Sequence, residues 1–280
     1  MIDRRSVLQL FGGATLSAAG WPALGAAGLD LADRDDFLTA VIKLRGSTDE
    51  RLCMGWVMGT RYAVVNHKAT PIHGILAATF SRYRKIRDDA YAATALEVAF
   101  FRDVNSGKLL QTWTNPFTEK TVEVPQVRMG PATLVVTADG LTVDRPVGEA
   151  AGMEIVHRFK PAVTHGDHVW ITEEISVEGS SPGADAKPFV YNEMSTYHAR
   201  KSDLDDRSQA SVPTDVAFHG LVTWRPWMGF GDIPGHTTAS ATGRRAERIE
   251  DLPKYYLELC ERYHPDVLHD PLAILDSADA

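Results

Sequence analysis

From residue 52 onward the chain alternates short runs of β-branched, aromatic and aliphatic residues with clusters of Asn, Asp, Gly and Pro. The runs recur at roughly 8–12 residues, a rhythm that suits an antiparallel sheet curled into a barrel or folded into a sandwich. They are read at 52–65, 75–86, 95–102, 108–113, 121–127, 132–137, 141–144, 154–159, 168–178, 189–198, 218–224 and 237–249. Turns are predicted at 71–74, 103–107 and 115–118, and residues 201–215 read as a polar loop or lid. Helical spacing occurs near the two ends. Phe37, Val41 and Leu44 follow an acidic first turn and precede Gly46, which predicts a helix over 33–45. Leu252, Tyr255, Tyr256, Leu259 and Tyr263 share one face of a second helix, capped by Asp251 and ended by Pro265. The expected fold is mainly β: a single curled antiparallel sheet forming a barrel or barrel-like sandwich, with short flanking helices, in one domain over 28–280.

Ahead of that domain, Asp3-Arg4-Arg5-Ser6-Val7-Leu8 has the form of a twin-arginine n-region. A weakly apolar stretch over 7–24 follows, and Ala23, Gly25, Ala26 and Ala27 offer a cleavage site. Gly12, Gly13, Gly20 and Pro22 argue against an ordinary helix there. Residues 1–27 are therefore expected to be an export address read by the twin-arginine machinery, and the protein to be periplasmic. No later stretch approaches 18 consecutive apolar residues, so no membrane span is expected. Lys and Arg number 29 against 37 Asp and Glu, with no basic run, which argues against a nucleic-acid partner. Cys53 and Cys260 are too few for a disulfide framework and read more readily as buried thiols than as a bridge.

Three segments resemble a known family. They are Trp113-Thr114-Asn115-Pro116-Phe117 running on to Pro125, Ala199-Arg200-Lys201-Ser202-Asp203-Leu204, and Trp224 to Gly231 with Pro234-Gly235-His236. Together they are similar to number 1838 among the bacterial domains of unknown function. The resemblance spans most of the chain beyond the leader. It implies that twin-arginine signals are common and gives a lead toward aromatic catabolism, but it carries over no catalytic residues.

Local motifs exclude more than they assign. Gly179-Ser180-Ser181-Pro182-Gly183 fits the G-x-S-x-G elbow formally, yet strand rather than helix follows it. Gly229 to Gly235 misses the dinucleotide-loop spacing and opens no helix. No cofactor is expected. His165 and His168 fall in a predicted turn, and only the fold could bring His198, His219 and His236 together, so no metal ligands are assigned.

The segment 191–200 is the best working strand. Alternation places Tyr191, Glu193, Ser195 and Tyr197 on one face, and Asn192, Met194, Thr196, His198 and Arg200 on the other. If the first face points into a barrel, a carboxylate and two phenols line a partly dry cavity suited to acid–base work. If it points outward, it is a solvated face of a kind common in antiparallel sheets. Trp113, Asn115, Asn192, Trp224, Arg225, Trp227, Met228 and Phe230 are candidate contacts for a flat apolar ligand, although aromatic residues on strands are more often core. Arg61 and Arg225 sit in apolar surroundings and need a partner, either Glu193 or a ligand's phenolate or carboxylate.

Two functional classes follow. One is an exported enzyme in which Glu193, Tyr191, Tyr197 and His198 move protons and Arg61 stabilises negative charge. Its substrate would be a small aromatic compound such as a lignin-type phenolic. The other is a non-catalytic periplasmic carrier for a small apolar ligand. Convergence of acid–base groups on one point separates the two, and either class is compatible with a homo-oligomer.

Overall fold

The computed structural model describes residues 28–143, 153–180 and 188–278. The expected leader at 1–27 and the middle of the Gly179–Gly183 motif lie outside the described residues.

Thirteen strands occur among them: β1 (Cys53–Val65), β2 (Lys68–Arg87), β3 (Ala90–Arg102), β4 (Thr112–Thr114), β5 (Thr121–Glu123), β6 (Val127–Val136), β7 (Leu141–Val143), β8 (Glu154–Phe159), β9 (Val163–His165), β10 (His168–Ser180), β11 (Pro188–Arg200), β12 (Asp215–Val222) and β13 (His236–Ala246). Ten of them form one antiparallel path, β7-β6-β3-β2-β1-β13-β12-β11-β10-β8, with β9 pairing beside β8 on β10. The two ends of this path meet, so the sheet is an almost closed barrel. At the seam Leu141 N–H donates to His157 Nδ1 (2.8 Å) and Phe159 N–H to the Asp139 carbonyl (3.2 Å), in place of a ladder.

Cross-strand partners point to the same face of a sheet. The register therefore sorts inward from outward positions. The first hairpin pairs Val57 with Ala77, and β3 pairs Ala99 with Ala77, all facing the bore. The alternate residues Met54, Leu76, Phe80, Leu96, Val98 and Phe100 face outward. They are covered by α3 (Lys254–Tyr263), α4 (Pro265–His269) and α5 (Pro271–Asp276) through Tyr256, Leu259, Val267 and Leu275. This wall is apolar on both faces, which is why β2 and β3 lack polar alternation.

The helix α1 (Arg34–Arg45) plugs one end of the barrel. Asp33 caps it by accepting the Asp35 and Asp36 amide N–H groups, and Leu38, Val41, Ile42 and Leu44 pack on inward residues Tyr83, Tyr91, Val136, Phe159, Val169 and Ile171. At the other end the β4–β5 hairpin and the turn Pro226–Met228 pack an aromatic cluster over Ala63 and Phe101.

Several boundaries depart from the sequence reading. The turn expected at 71–74 lies inside β2. The hairpin reverses at Asn66-His67, whose φ values of 49° and 63° suit a two-residue loop. The run at 108–113 is largely outside strand: Leu109 N–H is taken by the Tyr255 hydroxyl, leaving only Thr112–Thr114 in β4. Asp251 ends a short 3-10 turn instead of capping α3, and Pro265 starts α4. The loop at 201–215 opens with a short helix, α2 (Lys201–Asp205). Cys53 and Cys260 are buried free thiols.

Phe80 is fully buried between the sheet and the C-terminal helices. Phe80→Ala should lower unfolding stability by about 3–5 kcal/mol. Met194→Ala, on a side chain 42% exposed, should change it by no more than about 0.5 kcal/mol. Urea unfolding of the two variants measures the contrast.

Candidate active site

Three tiers of polar groups line the bore. Beside α1, Arg45 enters the barrel and its Nε lies 3.0 Å from Glu173 Oε2. Glu173, on β10, is 2% exposed and accepts from the Tyr197 hydroxyl (2.9 Å) and from His157 Nε2 (2.6 Å). Because His157 Nδ1 accepts the Leu141 N–H, the proton of a neutral ring sits on Nε2 and points at Glu173. Burial opposes the charge on Glu173, but Arg45 and His157 outweigh it and hold the carboxyl below its ordinary range. This tier is a fixed ion pair.

The middle tier behaves differently. Glu193 Oε1 accepts from Ser195 Oγ (2.8 Å), and Oε2 accepts from the Tyr191 hydroxyl in a short bond. Those donors favour the carboxylate, yet burial raises its protonation range and the negative Glu173 adds to the rise. Glu97, on β3, is pushed up to about 7 by burial and by Glu193. Strands β3 and β11 stand third and eighth in the path of ten, so these carboxyls reach toward each other from opposite walls.

The third tier is cationic. Arg61 donates from Nη1 to Thr237 Oγ1 (3.0 Å) and is held down to about 10 by burial, with Arg225 adding to the effect. Its cross-strand partner His73 is 1% exposed, packs edge-on against Phe101 (4.6 Å) and lies 6.1 Å from Trp227. Burial and Arg61 lower His73 to about 3, so the ring is neutral.

An eight-stranded bore is just filled by side chains, and ten strands enclose more. Many inward positions here are also small, among them Gly55, Gly59, Gly220, Ala239, Ala241 and Gly243. Gly243 allows β13 to approach β1 closely, since a Cβ there would lie 1.7 Å from the Trp56 carbonyl oxygen. Tyr191, Glu193, Glu97, Val57, Ile175 and Phe218 are only half-buried although they face the interior. Solvent therefore reaches part of the middle of the bore, beside the packed cluster of Ile75, Ala77, Ala99 and Ala239.

The expected site residues divide accordingly. Tyr191, Glu193 and Arg61 come together around this part of the bore, and Tyr197 lies one tier away on Glu173. His198 does not join them. It faces outward, bonded to His168 (2.9 Å) and stacked on Trp170 (5.0 Å). Asn192 is likewise outward, opposite Leu221. Asn115 is fully buried and holds the β4–β5 turn, donating to the Met228 carbonyl (2.9 Å) and accepting the Phe117 N–H (2.8 Å). Trp113, Met228 and Phe230 are buried with it, Trp224 stacks on Phe230 at 3.7 Å, and the Arg225 guanidinium lies over Phe189 at 5.0 Å. These aromatics make the end cap; Trp227 alone among them borders His73 and Phe101 together.

Glu97, Glu173, His157, Arg45 and His73 escaped the sequence reading. A single Glu within the otherwise apolar run Ala95–Phe101 was the available signal for Glu97. A surface concavity of about 390 Å³ beside His168 and His198 carries acids and bases that pair, as Arg244 does with Asp215 (3.1 Å). A second, of about 560 Å³, lies between 108–112 and α3. Among the described residues no three His, Cys, Asp or Glu side chains stand close enough to hold a metal ion.

Fold and site define a class: an antiparallel barrel with ionisable groups converging in its bore. The model of the family described as "Protein of unknown function (DUF1838)" matches residues 49–280, and the chain belongs to that family. No curated protein matches it.

The elevated Glu97 gives a signed stability test. Between about pH 4.5 and 7 the folded chain binds a proton that the unfolded chain has released, so rising pH through this window costs stability, by about 3 kcal/mol in full. Glu97→Gln should match the wild type near pH 4 and exceed it above pH 7. Denaturant midpoints measured across that range report the difference.

Proposed function

We propose that this protein is an exported enzyme, working without a nucleotide cofactor, that carries out acid–base chemistry on a small aromatic compound held in the bore. Elimination, isomerisation and hydrolysis belong to this class, and lignin-derived phenolics are suitable substrates. The observation that carries the reading is the convergence of Glu97 and Glu193 from opposite walls, both with raised protonation ranges. A carrier needs an apolar wall and has no use for two carboxyls drawn from opposite walls toward one point.

In an elimination, Glu97 takes a proton from a substrate hydroxyl or activated carbon. The released electron pair forms a new π bond and breaks the bond to the neighbouring group. The Glu193 carboxyl, with the Tyr191 hydroxyl beside it, returns a proton to that departing group. Arg61 offsets negative charge as it develops. Tyr197 holds Glu173 and so acts through the electrostatics of Glu193, without touching substrate. Glu97 must be ionised to act as base, so kcat/KM should rise through about pH 7.

Glu97→Gln and Glu193→Gln should each lower kcat about 100-fold or more while leaving binding in place. Wild-type rates in both variants would remove the residue assignment. Binding without turnover across a panel of phenolic ethers and alcohols would make the protein a carrier.

Export rests on Arg4 and Arg5. Replacing both by Lys should leave the chain in the cytoplasmic fraction, and unchanged fractionation would refute twin-arginine transport.

A further inference from the structure

Arg61 is a half-buried cation with no carboxylate partner among the described residues. Its guanidinium makes one hydrogen bond, to the neutral Thr237 hydroxyl, and no Asp or Glu lies within ion-pair distance of it among the described residues. Among the described residues its neighbours offer no anion: His73 is neutral and Tyr191 is held as the phenol by burial and by Glu193. An uncompensated charge in such a place is expensive and is retained where something arriving from outside completes it.

The surrounding wall indicates what arrives. Arg61 pairs across the sheet with Ala239, Ala239 with Gly220, and Gly220 with Glu193. These four positions form one row over neighbouring strands, spanning about 14 Å between its end Cα atoms along the sheet. The two middle positions carry no more than a methyl group. The row leads from the cation to the acid–base pair; the Phe218 ring lies over Gly220, and Phe101 and Trp227 stand beside the cationic end. A phenol is neutral near pH 7 and supplies no countercharge. A carboxylate does, and it matches the planar fork of a guanidinium.

We infer that Arg61 anchors the carboxylate of an aromatic acid held in the bore, with its reacting group toward Glu193 and Glu97. This rests on the bore being the ligand site. It assigns Arg61 to a permanent anion of the ligand, beyond the charge that develops during reaction. The ligand class is thereby narrowed from small aromatic compounds to aromatic carboxylates that reach from Arg61 toward Glu193.

Calorimetry at pH 7 tests this with hydroxylated benzoates, cinnamates and biaryl acids, each measured against its primary amide. At least one acid should bind the wild type tenfold or more tightly than its amide, and Arg61→Gln should bring the pair within about twofold. Without ligand, Arg61→Met should melt higher than the wild type, because a strained charge is removed. Amides binding as well as acids, no acid binding at all, or a lower Tm for Arg61→Met would each overturn the assignment. Acid preference without turnover would leave the anchor standing and remove the catalytic reading. Turnover without acid preference would do the reverse.

Discussion

The buried pair of Arg45 and Glu173 is the constraint around which the interior is arranged. Arg45 ends the helix that plugs the barrel, and Glu173 lies on a strand of the opposite half of the sheet, so their contact fixes how the plug sits. His157 and Tyr197 complete the coordination of the carboxylate from the strands on either side. Removing one partner of such a pair strands the other and is far more costly than removing both. Burial raises the protonation ranges of Glu193 and Glu97; the fixed charge of Glu173 adds to the first, and Glu193 adds to the second. A structural contact at one end of the bore therefore biases ionisation at its middle.

Large side chains are placed at the ends of the barrel, and its waist combines small ones with a packed cluster of Ile75, Ala77, Ala99 and Ala239. Tyr83, Tyr91 and Phe159 meet the plug, and Phe101, Trp113 and Trp227 meet the cap. A further apolar layer is made on the outer face, where Phe80, Leu96 and Phe100 receive the C-terminal helices.

Much of this was legible in the sequence, and the reasons for the rest are physical. Turn chemistry and alternation located most strands, and alternation alone grouped Tyr191, Glu193, Ser195 and Tyr197 on one face. Period two says nothing about which face is inward, and nothing about which distant strand stands across the bore. Glu97 belongs to that second kind of information, being brought to Glu193 by strand order, whereas Glu173 lies on the neighbouring strand. The aromatic residues around 113–117 and 224–230 read as a candidate ligand wall but more readily as core. The hydrogen bonds of Asn115 make that region a folded cap. His198 has an attractive chemistry in the wrong direction, one residue out of step with the inward set.

The seam between β7 and β8 has a consequence for the interior. Everywhere else around the barrel, separating two strands means breaking a ladder, whereas here the edges are joined by the His157 and Asp139 contacts. Among the described residues the wall is closed here by those contacts, with a helix stopper at one end and an aromatic stopper at the other. His157 is both a contact of that seam and the donor to Glu173, so one side chain ties the closure of the wall to the inner carboxylate.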